Sequence, residues 1–345
     1  MTPSLALAAL LALALAGSSR AEDAPPPIDQ EPPAPLEEIA LQALSLRTLV
    51  ATAPAGEFLR AVGCLEPPPA MPRTVWYRRE TRQALSPEEA AARTPAELEG
   101  FQEEQLDERF YWLTRYGTPV AFVRPLELLG RAGMETLTGT RLLDFGFGSV
   151  GQLRVLASLG ADVTGIEVDA LLERLYAHPQ DTGPVTRCDA GPGAQDGHVR
   201  LLFGQFPAEE PIVRDAGAGY DAFLSKNTLK RGYIHPEQEV DPRMLVHLGV
   251  DDATFVAAVH TLLKPGGLFL IYNLCPAPSP EKYIPWADGR CPFDRALLET
   301  TGFDLISFDE DDTEAAREMG QALGWAESMD LETDLFGTYT LARKR

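Results

Sequence analysis

The sequence predicts an α/β protein, a mostly parallel sheet with helices on both faces, behind a helical N-terminal region. Three observations carry that prediction. From Arg141 onward, apolar runs of strand length alternate with segments of helical spacing. A glycine-rich turn, Gly146-Phe147-Gly148-Ser149-Val150-Gly151, joins the first of those strands to the first helix. Before them, residues 36–135 carry helical spacing and helix-capping signatures instead.

The first stretch reads as an export signal over residues 1–21. Leu5 to Ala16 is a twelve-residue run of Leu and Ala, short for a bilayer span and suited to a signal's apolar region. Ser19-Arg20-Ala21 supplies small residues for cleavage, although residues 1–4 lack the usual Lys or Arg. If the signal operates, the chain is periplasmic or secreted; otherwise it is cytoplasmic. Residues 22–35 (EDAPPPIDQEPPAP) form a Pro-rich linker.

The helical region starts at Leu36, with Ile39, Ala43, Leu44 and Leu46 at helical spacing. Ser86-Pro87-Glu88-Glu89 and Thr94-Pro95-Ala96-Glu97 each place a hydroxyl at the cap, Pro at the first helical position and Glu three residues on. The second is expected to open a long helix towards Tyr116.

Next come strands over Leu142–Phe145, Asp162–Glu167, Val199–Phe203, Tyr220–Leu224 and Leu268–Tyr272, with a Gly/Pro/Asp loop over residues 178–197. Asp251 or Asp252 caps a helix from Ala253 to Leu263, which Lys264-Pro265-Gly266-Gly267 terminates. A helix near Phe293–Thr300 precedes strands at Phe303–Phe308 and Gly337–Ala342. The last strand lies close to Arg345, so no separate C-terminal substrate domain is expected.

The glycine turn alone does not choose its ligand. A G-x-G-x-x-G between strand and helix lets backbone amides approach either a dinucleotide or another nucleotide-like molecule, and Glu167 at the second strand's end suits ribose hydroxyls of both. Asp144 shifts the balance. A carboxylate two residues before the first glycine repels a pyrophosphate and attracts an ammonium group.

With LLDFGFGSVG (142–151), VTGIEVD (163–169), VRLLFGQF (199–206), YDAFLSKNTL (220–229), LLKPGGLFLI (262–271) and FGTYTLAR (336–343) in this order, the chain resembles the class I S-adenosylmethionine (SAM)-dependent methyltransferases over about residues 115–345. The resemblance implies a Rossmann-like, seven-stranded, mostly parallel sheet, a methyltransferase-like domain over 136–345, and SAM at the strands' carboxyl ends. By position, Asp144, Gly146, Phe147 and Gly148 would line the methionine and ribose end, and Glu167 would accept from the ribose hydroxyls. Gln205 stands where the family often has an Asp facing the adenine amine. Ser225, Lys226 and Asn227 would face the methyl group.

In-line methyl transfer needs alignment and, for a protic acceptor, a base. Tyr233 and His235, in a long segment after the fourth strand, are the candidate catalytic residues, and Lys230 and Arg231 could hold an anionic group. Tyr111, Trp112, Tyr116 and Phe122 either cover the pocket or belong to the core.

Composition excludes some partners. A net charge of −21, from 30 basic and 51 acidic residues, repels nucleic acid and anionic membranes. A small-molecule methyl acceptor is therefore expected, with no membrane insertion of the mature chain. The four cysteines, Cys64, Cys188, Cys275 and Cys291, have no zinc spacing, and no metal is expected. They allow three pairings, of which Cys275–Cys291 is the first to test. Two other functions compete with a methyltransferase: an exported, non-catalytic binding or scaffold protein of the same fold, and a nicotinamide-dependent oxidoreductase.

Overall fold

The structure, a computed structural model, describes residues 33–188, 195–279 and 281–345. The expected export signal, and the linker up to residue 32, lie outside these residues. Eight strands build the large sheet: β4 (Arg141–Phe145), β5 (Asp162–Glu167), β6 (Gly183–Val185), β7 (Gly197–Phe203), β8 (Tyr220–Lys226), β9 (Leu263–Cys275), β10 (Phe303–Asp311) and β11 (Phe336–Lys344). Their order is β10-β11-β9-β8-β4-β5-β7-β6. Strands β7, β5, β4, β8 and β9 run parallel, while β11, β10 and β6 pair antiparallel.

Burial explains why these segments become parallel strands. Beyond Arg141, every residue of β4 is buried, as is every residue of β5 beyond Asp162, because helices cover both faces. The helices Gly151–Ser158 and Ala170–Leu175 follow β4 and β5, and Asp252–Leu262 precedes β9. Asp251 caps the last of these, its carboxylate accepting from the Thr254 N–H at 2.7 Å. Lys264–Gly267 then bulges out: Tyr220 pairs with Leu263 but Ala222 pairs with Leu268.

The chain begins its sheet at β4, adds β5 and β7 on one side, and places β8 and β9 on the other. The sheet order therefore reverses between β4 and β8, and a crevice opens at their carboxyl ends. This is a Rossmann-like arrangement.

Two expectations are corrected here. The sheet has eight strands among the described residues, not seven: Gly183–Val185, inside the expected loop, covers the outer edge of β7. Pro184 is tolerated because β6 is the edge strand, where a missing N–H faces no neighbour. The long helix from Thr94 is also absent. The Thr94 cap forms, its N–H and hydroxyl both bonding Glu97 at 2.8 Å, but Gly100 turns with a φ of +80°. Gln102–Leu106 then becomes β3, which with β2 (Gln83–Leu85) flanks β1 (Arg73–Arg78) in a small antiparallel sheet. A separate helix, Glu108–Leu113, starts at the Asp107 cap. The Ser86 capping box forms as expected.

The N-terminal segments share a core with the large sheet. Phe58, Leu59, Trp112 and Leu126 belong to the same apolar cluster as Leu153 and Leu156. Arg73 of β1 pairs at 2.6 Å with the fully buried Asp181, which also accepts from the Tyr111 hydroxyl at 2.9 Å. A disulfide joins Cys64 to Cys188 with a Cα separation of 5.6 Å, tying these two parts covalently. The expected Cys275–Cys291 pair does not form: both are free thiols. Cys275 ends β9 with its sulfur against the Phe336 carbonyl, whereas Cys291 packs into a different apolar cluster with Phe293. No helix among the described residues is long and apolar enough to cross a membrane.

Candidate active site

At the crevice, β4 delivers Asp144 and then the glycine turn. Gly146 and Gly148 adopt φ values of +74° and +62°. A Cβ on Gly146 would lie 2.1 Å from the Thr228 hydroxyl, and one on Gly148 would lie 2.9 Å from the Tyr116 ring. Left-handed backbone and close approach thus both demand glycine. Phe147 between them packs beneath the turn against Phe203 and Tyr176.

Gln152 holds the turn from the following helix. Its amide donates to Asp144 Oδ2 at 3.1 Å and to the Phe147 carbonyl at 2.6 Å, and it accepts from the Ser149 hydroxyl at 2.9 Å. Asp144 is 1% exposed, and its second oxygen, Oδ1, has no hydrogen-bond partner. Burial pushes its carboxyl up to about 7, with Gln152 and the Lys226 ammonium acting the other way. Glu167, ending β5, accepts from the Val168 N–H at 2.8 Å and the Gly148 N–H at 3.3 Å. Burial raises its carboxyl too, against those two bonds.

Asp144 and Glu167 both face a cavity of about 760 Å³. Gly146, Phe147, Gly148, Gln205, Lys226, Asn227 and Tyr233 also line it, so seven further expectations and one new residue, Gln152, meet in one place. Gln205 bridges outward, its amide donating to the His247 carbonyl at 2.6 Å, which leaves Oε1 free to accept. Asn227 sits at a φ of +66°; its Oδ1 accepts from the Leu274 N–H at 2.7 Å, fastening the end of β8 to β9. Tyr233 is buried, which raises its phenol.

Four expected residues lie elsewhere. Ser225 precedes Lys226 in the strand, so its side chain takes the opposite face, and its hydroxyl accepts from the Leu229 N–H at 3.3 Å. His235 sits at the surface, 2.8 Å from the Asp252 carboxylate and outside the cavity wall. Lys230 is buried with its ammonium donating to the Leu274 and Trp286 carbonyls at 2.5 and 3.4 Å, so neither it nor Arg231 lines the cavity to hold an anion.

The roof comes from distant segments. Arg82, in the β1–β2 turn, donates to the Arg243 carbonyl at 2.8 Å, closing the hairpin against the cavity-lining residues 243–247. Arg115 pairs with Asp169, whose carboxylate also accepts from the Tyr116 hydroxyl at 3.1 Å. Tyr116 and Phe122 line the cavity, whereas Tyr111 and Trp112 are fully buried core. No signal in the sequence pairs Arg82 with Arg243, because that contact joins segments 161 residues apart. Among the described residues there is no cluster of His, Cys, Asp and Glu able to hold a metal.

Fold and site together define a Rossmann-like protein with a cavity at the sheet's switch point, floored by two buried carboxylates. No protein-family model matches the chain, and no curated protein sequence matches it. Among solved structures it is similar to phosphoethanolamine N-methyltransferase 2 from Haemonchus contortus, with S-adenosyl-L-methionine: 15% identity, 71% of this chain, 62% of the other, TM-score 0.33. It is also similar to an S-adenosylmethionine-dependent methyltransferase from Mesorhizobium loti (18% identity, 62% and 95% covered, TM-score 0.34). A third, the [4+2]-cyclase SpnF, shows 18% identity, 63% and 79% coverage and a TM-score of 0.35.

Proposed function

We propose that the cavity binds SAM and that the chain is a SAM-dependent methyltransferase acting on a small molecule. The observation that carries this is Asp144: a buried carboxylate at the glycine turn with one oxygen lacking any partner. A buried, half-satisfied carboxylate is costly by itself, and an ammonium group on the ligand offsets that cost. The methionine end of SAM carries such a group. Glu167, next along the sheet, fits ribose hydroxyls, and the free Oε1 of Gln205 fits an adenine amine. When bound, SAM supplies an electrophilic methyl group on a sulfonium. A nicotinamide dinucleotide fits less well, because its pyrophosphate at the turn would face Asp144. Calorimetry with SAM and S-adenosylhomocysteine (SAH) tests the reading: micromolar binding is expected, and absence of binding to both would overturn it.

The Cys64–Cys188 disulfide favours the second reading of an exported protein, since such bonds persist in oxidising compartments. SAM is made in the cytosol, so export would favour a non-catalytic binding or scaffold role. Cell fractionation with intact-mass analysis separates the two. A trimmed, extracytoplasmic protein without SAM binding supports the scaffold, and a full-length cytosolic one that binds SAM supports the enzyme.

A further inference from the structure

Lys226 is the cavity's unusual side chain. It ends β8, is half-buried, and turns its remaining surface into the cavity. Among the described residues its amine has no hydrogen bond or ion pair, unlike Lys230 four residues later, which bonds two carbonyls. The chain has five lysines against 25 arginines, so a lysine here is a rare choice. An arginine at this strand end would supply charge but could never take up a proton.

Its surroundings suit a base. Asp144 faces it from β4, and Lys230 approaches from the turn after β8; Glu167, Tyr116, Tyr233 and Arg82 stand around the same cavity. Burial lowers the Lys226 amine to about 8, with Asp144 opposing, so about a tenth of it is neutral at pH 7 and about half at pH 8. Lys226 ends β8 and Glu167 ends β5, on opposite sides of β4 and its glycine turn.

Resting on the methyltransferase reading, we infer that Lys226 is the general base of the transfer, taking the proton from a weakly acidic, phenol-type hydroxyl on the acceptor. The hydroxyl proton moves to Nζ, the oxygen's electron pair forms the bond to the methyl carbon, and the carbon–sulfur bond breaks with its pair going to sulfur. The products are the methyl ether, neutral SAH and the Lys226 ammonium. An amine base becomes cationic as the oxyanion develops, so it stabilises an anionic nucleophile; an ammonium acceptor would be repelled by that same cation.

Partial acetylation of the intact protein across a pH series, read by peptide mass spectrometry, measures the Lys226 amine beside the exposed Lys282. The expected result is half-maximal reactivity near pH 8 for Lys226, with SAH slowing the reaction at Lys226 and not at Lys282. A Lys226 midpoint at the ordinary lysine value of about 10.4 would overturn the assignment. Lys226→Met should keep SAH binding within about threefold, less than 1 kcal/mol; a large loss makes Lys226 a cofactor-holding residue instead. In the SAH complex at neutral pH, 4-nitrophenol should show more of its visible phenolate band with wild type than with Lys226→Met. An unchanged spectrum overturns the acceptor class. Wild-type protein that fails to bind SAH removes the underlying methyltransferase reading, whatever the midpoint of Lys226.

Discussion

The floor and the roof of the cavity are built by different means. The floor is strand ends: Asp144, the glycine turn, Glu167 and Lys226 all follow from where β4, β5 and β8 stop. Its positions are set by backbone pairing, since Asp144 lies opposite Gly165 on one side and Leu224 on the other. The roof is the β1–β2 turn and residues 243–247, joined by a side-chain bond from Arg82 to the Arg243 carbonyl. The floor is thus fixed by sheet pairing, and the roof by contacts between segments distant in sequence.

The largest effect expected on that contrast comes from Gly146→Val. It places a branched side chain against Thr228 at a φ of +74°, so SAM binding should be lost beyond calorimetric detection. Next, Glu167→Gln replaces charge-assisted bonds to the ligand by neutral ones, and SAM affinity should fall about 10- to 150-fold, the equivalent of roughly 1.5–3 kcal/mol. Arg82→Ala loosens only the roof, and its effect on SAM affinity should stay within about threefold. A larger loss for Arg82→Ala than for Glu167→Gln would break the division between floor and roof.

The floor also predicts a pH response. Asp144 titrates near 7 in the free protein, and a bound ammonium would lower that value. Binding therefore releases a proton, and SAM affinity should drop by up to about tenfold per unit as pH falls below 7. The sign for stability is opposite. A carboxyl raised by folding favours the folded state at low pH and costs stability as pH rises from about 4 to 7. Asp144→Asn should therefore stabilise the free protein above pH 7, by up to roughly 4 kcal/mol, and leave it unchanged near pH 4. Thermal melts at the two pH values check this.

The same division governs what could be read in advance. Parallel strands are continuous apolar runs between turn signals, so Asp162–Glu167 was legible to the residue, and with it Glu167. Asp144 and both glycines followed from the turn's own chemistry. Ser225 was misplaced although its strand was recognised, because alternation lets either Ser225 or Lys226 face the ligand and only tertiary packing decides which. His235 and Lys230 lie on the segment after β8, where no periodicity indicates direction; one pairs with Asp252 and the other with backbone carbonyls. The Thr94 signature marked a true cap but not the length of what followed, since long-range pairing with β1 claimed Gln102–Leu106. The disulfide was likewise hidden: Cys64 and Cys188 are 124 residues apart, while Cys275 and Cys291 are near in sequence but packed in different surroundings.

The most direct test of the account is calorimetric titration of SAM into wild type and Asp144→Asn at pH 8, with a melt confirming that both are folded. Wild type should bind in the micromolar range, and the variant, although more stable when free, should bind about 10- to 150-fold more weakly. Equal affinity in the two proteins would contradict it, because the partnerless oxygen of Asp144 would then not be the ligand's anchor.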